Sequence, residues 1–70
     1  MSRQQFTKGQ AVDCYLNLGY KLNYWCQGKV TRNGDGFYVE VLARNPISDI
    51  YQRRWVRNDR RLIRPKGETP

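Results

Sequence analysis

Residues 24–42 read YWCQGKVTRNGDGFYVEVL, and at their centre Asn33-Gly34 is followed at once by Asp35-Gly36. Asn-Gly and Asp-Gly supply the positive φ angles that tight hairpin turns demand. Before the turn, Tyr24 to Arg32 reads as a strand. After it, Phe37, Val39 and Val41 alternate with Tyr38 and Glu40, the period of two that gives a strand one apolar face. The stretch therefore predicts a β-hairpin, with strands over Tyr24–Arg32 and Phe37–Leu42.

Working outward, Val12, Cys14 and Leu16 alternate with Asp13 and Tyr15, which predicts a first strand over Gly9–Leu16. Residues 17–23 form a loop of turn formers that also holds Leu18, Tyr20 and Leu22. Residues 1–8 are polar, and their order depends on Phe6 docking somewhere. Beyond the hairpin, Asn45-Pro46 marks a loop over 43–50, because proline cannot donate to a ladder and forces its predecessor out of the helical region. A fourth strand is expected over Ile50–Arg57. Asn58-Asp59-Arg60-Arg61 reads as a turn or a short 3₁₀ turn. Leu62-Ile63-Arg64 reads as a closing strand ended by Pro65. No stretch carries sustained helical periodicity with caps. The expectation is an all-β domain: a partly ordered segment over 1–8, a five-stranded small barrel over 9–65 and a frayed tail over 66–70. A barrel also solves the problem that a lone open sheet of this size leaves unpaired edges.

Composition narrows the chemistry. Seventy residues make one domain, and folding at this size buries only about 60% of the unfolded chain's surface, so the core must be compact. Nine aromatics in a chain that is 39% hydrophobic supply large contact areas. No apolar run approaches the ~20 residues that span a bilayer. Met1, Ser2, Arg3, Gln4 and Gln5 contain no apolar region of the signal-peptide kind, so a soluble, intracellular (cytoplasmic) protein with no membrane partner is expected. Cys14 and Cys26 are the only cysteines, and there is no histidine. Two thiols alone cannot complete a tetrahedral zinc site, so no metal is expected. The favoured reading of both is small buried hydrophobes in a reducing compartment; a single disulfide is the reading for an oxidising one. Without histidine a Ser-His or Cys-His nucleophile is excluded. The acids Asp13, Asp35, Glu40, Asp49, Asp59 and Glu68 are scattered, and no phosphate-binding glycine loop is present. No cofactor and no enzymatic activity are expected.

Charge is concentrated near the C-terminus. Arg53, Arg54, Arg57, Arg60, Arg61, Arg64 and Lys66 share residues 53–66 with one acid, Asp59, for a net charge of +6 against +7 for the whole chain. Such a field points to a polyanionic partner, nucleic acid first, with solubility as the plainer explanation. Arginine forks bind phosphate in a bidentate manner and stack on bases. Arg53, Trp55 and Arg57 fall on one face of the expected fourth strand, an aromatic between two guanidiniums, which suits single strands and exposed bases. The plainer role for Trp55 is packing against the barrel with the arginines laid over it.

The order Phe6-x-x-Gly9-x-x-Val12, Trp25-x-x-Gly28-x-Val30, Asn33-Gly34-Asp35-Gly36-x-Tyr38-x-x-Val41, Trp55-Val56 and Leu62-Ile63-Arg64-Pro65 resembles SH3-like barrels of the Tudor and agenet type over residues 6–65. The second half is also similar to the SH3-like DNA-binding C-terminal domain of retroviral-type integrases. The resemblance implies that Val12, Val30, Val41, Val56 and Ile63 point inward, and that Gly28 allows a close approach where a strand bends. Trp25 then plugs one end of the barrel or sits on its surface. Tudor-like domains often read methylated lysine or arginine with an aromatic cage. This chain departs from that pattern by carrying Cys26 where such readers have a cage aromatic.

Two functions follow from different residues. The first is a non-enzymatic nucleic-acid-binding module of low sequence specificity, for DNA or RNA, working through Arg53, Arg54, Trp55, Arg57, Arg60, Arg61, Arg64 and Lys66. The second is a protein-interaction module that presents Tyr15, Tyr20, Tyr24, Trp25, Tyr38 and Tyr51, with loop residues Leu18 and Leu22, to an acidic or methylated protein partner. Its plainer counterpart is that these tyrosines only pack across strands.

Overall fold

The structure, a computed structural model, describes residues 4–68. It is all-β: β1 Ala11–Asn17, β2 Asn23–Asn33, β3 Tyr38–Arg44, β4 Tyr51–Arg57 and β5 Ile63–Pro65. All pairings are antiparallel, and the sheet order is β4-β3-β2-β1-β5. Four strands form a meander, and the short fifth returns to pair with β1 at the far edge. The two edge strands nonetheless share one core, since Val56 of β4 and Ile63 of β5 are buried in the same cluster. The sheet is therefore curled into a barrel-like form.

Alternation explains the filling. Val12 and Cys14 of β1, Cys26 and Val30 of β2, Val39, Val41 and Ala43 of β3, Val56 and Ile63 make up the core together with Phe6. The five residues expected to point inward are all buried. Phe6 brings the chain before β1 into the fold. Its carbonyl accepts the Asn33 side-chain amide at 2.7 Å, and Gln4 donates to the Ile63 carbonyl at 3.0 Å. At the other end the Lys66 amide bonds the Ala11 carbonyl at 3.1 Å. Residues 1–3 and 69–70, which fall within the expected N-terminal segment and tail, lie outside the described residues.

The central hairpin forms as expected, but its turn is wider than a two-residue one. The Gly34 amide bonds the Tyr38 carbonyl at 3.0 Å, so residues 34–37 form the loop and β3 starts at Tyr38. Phe37, expected to be the first inward residue of β3, instead belongs to this loop and is 53% exposed. Its amide is held by the Asp35 carboxylate at 3.1 Å, and its carbonyl accepts the Asn58 amide at 2.7 Å. Of the two turn glycines only Gly36 uses a positive φ, +94°. A bulge at Thr31 shifts the register of β2 against β3. The Thr31 hydroxyl lies 3.1 Å from the Glu40 carbonyl and 2.9 Å from its carboxylate, which gives the bulged residue its partner. First-strand pairing begins two residues later than expected, at Ala11. Gly9, with φ +88°, still donates to the Val30 carbonyl at 2.7 Å. Ahead of β5, both Leu62 and Ile63 donate to the Asp59 carbonyl, closing the single short turn expected there.

Gly28 is required by the fold. A Cβ there would lie 2.9 Å from the Leu42 carbonyl oxygen and 3.3 Å from the Ala43 Cα, both backbone atoms of β3. Gly28→Ala forces the β2–β3 ladder apart, and overpacking of this kind costs about 1–3 kcal/mol. At this chain size each kcal/mol lowers Tm by roughly 4–8 °C. Thermal unfolding followed by circular dichroism checks it, and an unchanged Tm contradicts the close approach.

Cys14 and Cys26 stand opposite each other across β1 and β2, both buried and free. Burial, followed by the neighbouring Cys26 and Asp13, pushes the Cys14 thiol up to about 12 from 9.0. The unfolded chain thus loses this proton near pH 9 while the folded chain keeps it to about pH 12. The contribution is fully present below pH 9 and is lost as pH rises towards 12, by at most about 1.4 kcal/mol per pH unit. Urea titrations of wild type and Cys14→Val across this window should show the shallower fall in the variant. Parallel curves contradict the burial argument.

Candidate nucleic-acid interface

Strand β4 is an edge strand, and only Val56 of its seven residues is buried. Tyr51, Arg53, Trp55 and Arg57 alternate along its outward side. The register sets Tyr38 opposite Arg57, Glu40 opposite Trp55, Leu42 opposite Arg53 and Arg44 opposite Tyr51. Directly opposed residues in an antiparallel pair share a face. The same face continues onto β2, where Arg32 opposes Glu40 and Lys29 opposes Leu42. One continuous outward surface thus carries Arg53, Trp55, Arg57, Arg32 and Lys29, with Glu40 as a carboxylate on the sheet and Asp35 as another at the adjoining turn.

Trp55 remains 50% exposed. Together with Gly34, Asp35 and Tyr38 it lines a shallow groove at the hairpin turn. Space beside Gly34 is tight. A Cβ on it would lie 3.2 Å from the Trp55 ring and 3.0 Å from the Tyr38 carbonyl. Two aromatic side chains therefore border a groove flanked by Arg57. Among the described residues the ion pairs are Arg44–Asp49, Arg60–Glu68 and Arg61–Asp59, so neither Arg53 nor Arg57 is in one.

The remaining cations of the sequence cluster are dispersed. Arg54 lies on the opposite side of β4, facing the buried Cys26. Its charge pulls that thiol's pKa down against the larger upward push of burial. It also donates to Gln52 at 2.9 Å. Arg61 is held by the Asp59 carboxylate, and this interaction keeps Asp59 down at about 2. Arg60 bonds Glu68 at 2.8 Å and reaches Gln4. Arg64 lies over Trp25, its guanidinium carbon 4.8 Å from the ring centroid, and donates to the Arg60 carbonyl. Lys66 is exposed and follows β5.

The aromatics likewise stand in separate places. Tyr15 and Trp25 are a tilted cross-strand pair with centroids 5.4 Å apart, so Trp25 is half-buried on the outer surface beneath Arg64. It does not plug the barrel. Tyr20 projects from the β1–β2 loop with Lys21 5.5 Å above its ring, and Tyr24 lies beyond the core on β2. Tyr38 joins Trp55, and Tyr51 lies further along β4. Of the loop leucines, Leu18 packs on the core and Leu22 is exposed. Gly34 and Asp35 join the surface from the hairpin turn that the Asn33-Gly34-Asp35-Gly36 motif marks. No local motif marks Arg32 and Lys29; the register of β2 and β3 brings them there, and only the alternation of those strands hints at it.

No protein-family model, curated protein or solved structure matches the chain. Among the described residues no His, Cys, Asp and Glu side chains gather to hold a metal, and no helix is long and apolar enough to cross a membrane.

Proposed function

We propose that this chain is a small, non-enzymatic SH3-like barrel that binds single-stranded nucleic acid with low sequence specificity through the outward face of β4. The observation that carries the reading is the triplet Arg53, Trp55 and Arg57. It is exposed on one side of an edge strand, and neither guanidinium is in an ion pair among the described residues. Arg53 and Arg57 stand four residues apart on β4, about 13 Å along a strand, so each can reach a separate phosphate, and the aromatic between them offers a stacking platform that accepts any base. Tyr38 beside Trp55 enlarges that platform, while Arg32 and Lys29 of β2 extend the positive surface to the far side of β3. The meander whose fifth strand returns to β1, with a close approach at Gly28, supports the SH3-like part of the reading. A soluble, intracellular setting accompanies it.

The chemistry expected is electrostatic capture followed by stacking. Phosphate contacts position the strand and release counterions. They carry no sequence information, so affinity falls steeply with salt and varies little between sequences. Tyr20, 87% exposed, and Leu22 favour a second reading, a docking loop for an acidic or methylated protein partner. Such binding would respond only weakly to salt and survive charge reversal on β4.

Fluorescence anisotropy with short single-stranded and duplex DNA and RNA, at several salt concentrations, separates these readings. Arg53→Ala with Arg57→Ala should reduce the log–log salt slope by about 1.4, at about 0.7 per single-strand phosphate. Trp55→Ala should cost about 1–3 kcal/mol on single strands with the slope unchanged. An unaltered slope in the arginine double variant contradicts the proposed face.

A further inference from the structure

A second concavity lies on the same side of the sheet, away from the Trp55 groove. The register places Ala11, Lys29, Leu42 and Arg53 in one row across β1, β2, β3 and β4. Ala11 is the small member of that row, and the surface dips beside it. The dip is lined by Ala11, Gly28, Lys29, Leu42, Arg44, Tyr51 and Lys66, among others, and encloses about 280 Å³. That is just below the roughly 300–1,000 Å³ typical of small-molecule sites, and the cleft is open to solvent on one side, so a planar ring can lie in it with attached groups at its mouth.

Its chemistry is divided. Leu42, Ala11 and the Tyr51 ring give an apolar wall. Lys29, Arg44 and Lys66 give three cations, and no carboxylate lines the cleft. Asp49, from the β3–β4 loop, is paired to Arg44 from outside it, so Arg44 is partly neutralised while Lys29 and Lys66 are in no ion pair among the described residues. The Lys66 backbone is fastened to Ala11, which brings its side chain to the same edge. An apolar wall with an aromatic ring, facing ammonium groups, is complementary to a planar ring joined to a phosphate.

We infer that this cleft binds one nucleoside monophosphate unit, its ring against Tyr51 and Leu42 and its phosphate between Lys29 and Lys66. A free mononucleotide and the phosphorylated end of a strand both carry that group. The site shares Lys29 with the basic surface beside β4, but it stands if that face binds no strand.

The test is an amide NMR titration of the full chain with adenosine 5′-monophosphate, adenosine and inorganic phosphate, each alone. The monophosphate should shift Gly28, Lys29, Leu42 and Tyr51, and bind at least about tenfold more tightly than adenosine or phosphate. Lys29→Ala and Tyr51→Ala, both at exposed positions where the dispersed spectrum should be retained, should each weaken it severalfold. A 5′-phosphorylated oligonucleotide that gains over its unphosphorylated form at these same resonances identifies a strand end as the source. Equal affinities for the two oligonucleotides, with the monophosphate bound, identify the free nucleotide. Phosphate alone binding as well as the monophosphate overturns the proposal, as do shifts confined to Trp55 and its neighbours. The latter outcome leaves the β4 reading intact.

Discussion

The approach of β2 to β3 at Gly28 is the contact on which the rest of the structure depends. Strand β2 is eleven residues long and pairs on both sides, with β1 and with β3. A curled sheet this small has no room for a side chain where β2 passes the Leu42 and Ala43 backbone. That passage brings Val12, Val30, Val41 and Ile63 into one core and fixes which residues of β2 and β3 face outward. The register carries through β3 to β4, so the positions of Trp55 and the flanking arginines are set by the same contact.

Much of the framework was legible because period-two patterns report directly on burial. The hairpin and the apolar faces of the first and third strands follow from alternation and turn residues, whereas the full inward set of Val12, Val30, Val41, Val56 and Ile63 is what the resemblance to SH3-like barrels implies. Phe37 falls outside β3 although it continues the apolar alternation, because alternation does not show where a ladder begins. The Gly34–Tyr38 bond starts β3 one residue later, and Asp35 holds Phe37 in the loop. The β2 bulge was equally hidden, since Thr31 earns its place through a hydroxyl bond to Glu40 across the sheet.

Charge was the less transparent signal. Seven cations in residues 53–66 look like one patch in sequence, yet they serve several purposes in space. Alternation sends Arg54 to the other side of β4, the turn acid Asp59 binds Arg61, Glu68 binds Arg60, and the Trp25 ring lies under Arg64. Arg53 and Arg57 remain beside Trp55, joined by Arg32 and Lys29 from elsewhere in the chain. The basic surface around Trp55 is thus defined by cross-strand register more than by local composition, and residue spacing along the chain does not display register between strands.

The two tryptophans occupy different environments, Trp25 beneath Arg64 and Trp55 open to solvent, so one can report on ligand without the other. The most direct measurement is the emission of Trp55 in a Trp25→Phe variant as a short single-stranded oligonucleotide is added at low salt. Stacking of a base on the β4 face predicts saturable quenching that salt reverses. Saturable binding by an independent probe with Trp55 emission unchanged would contradict the central claim.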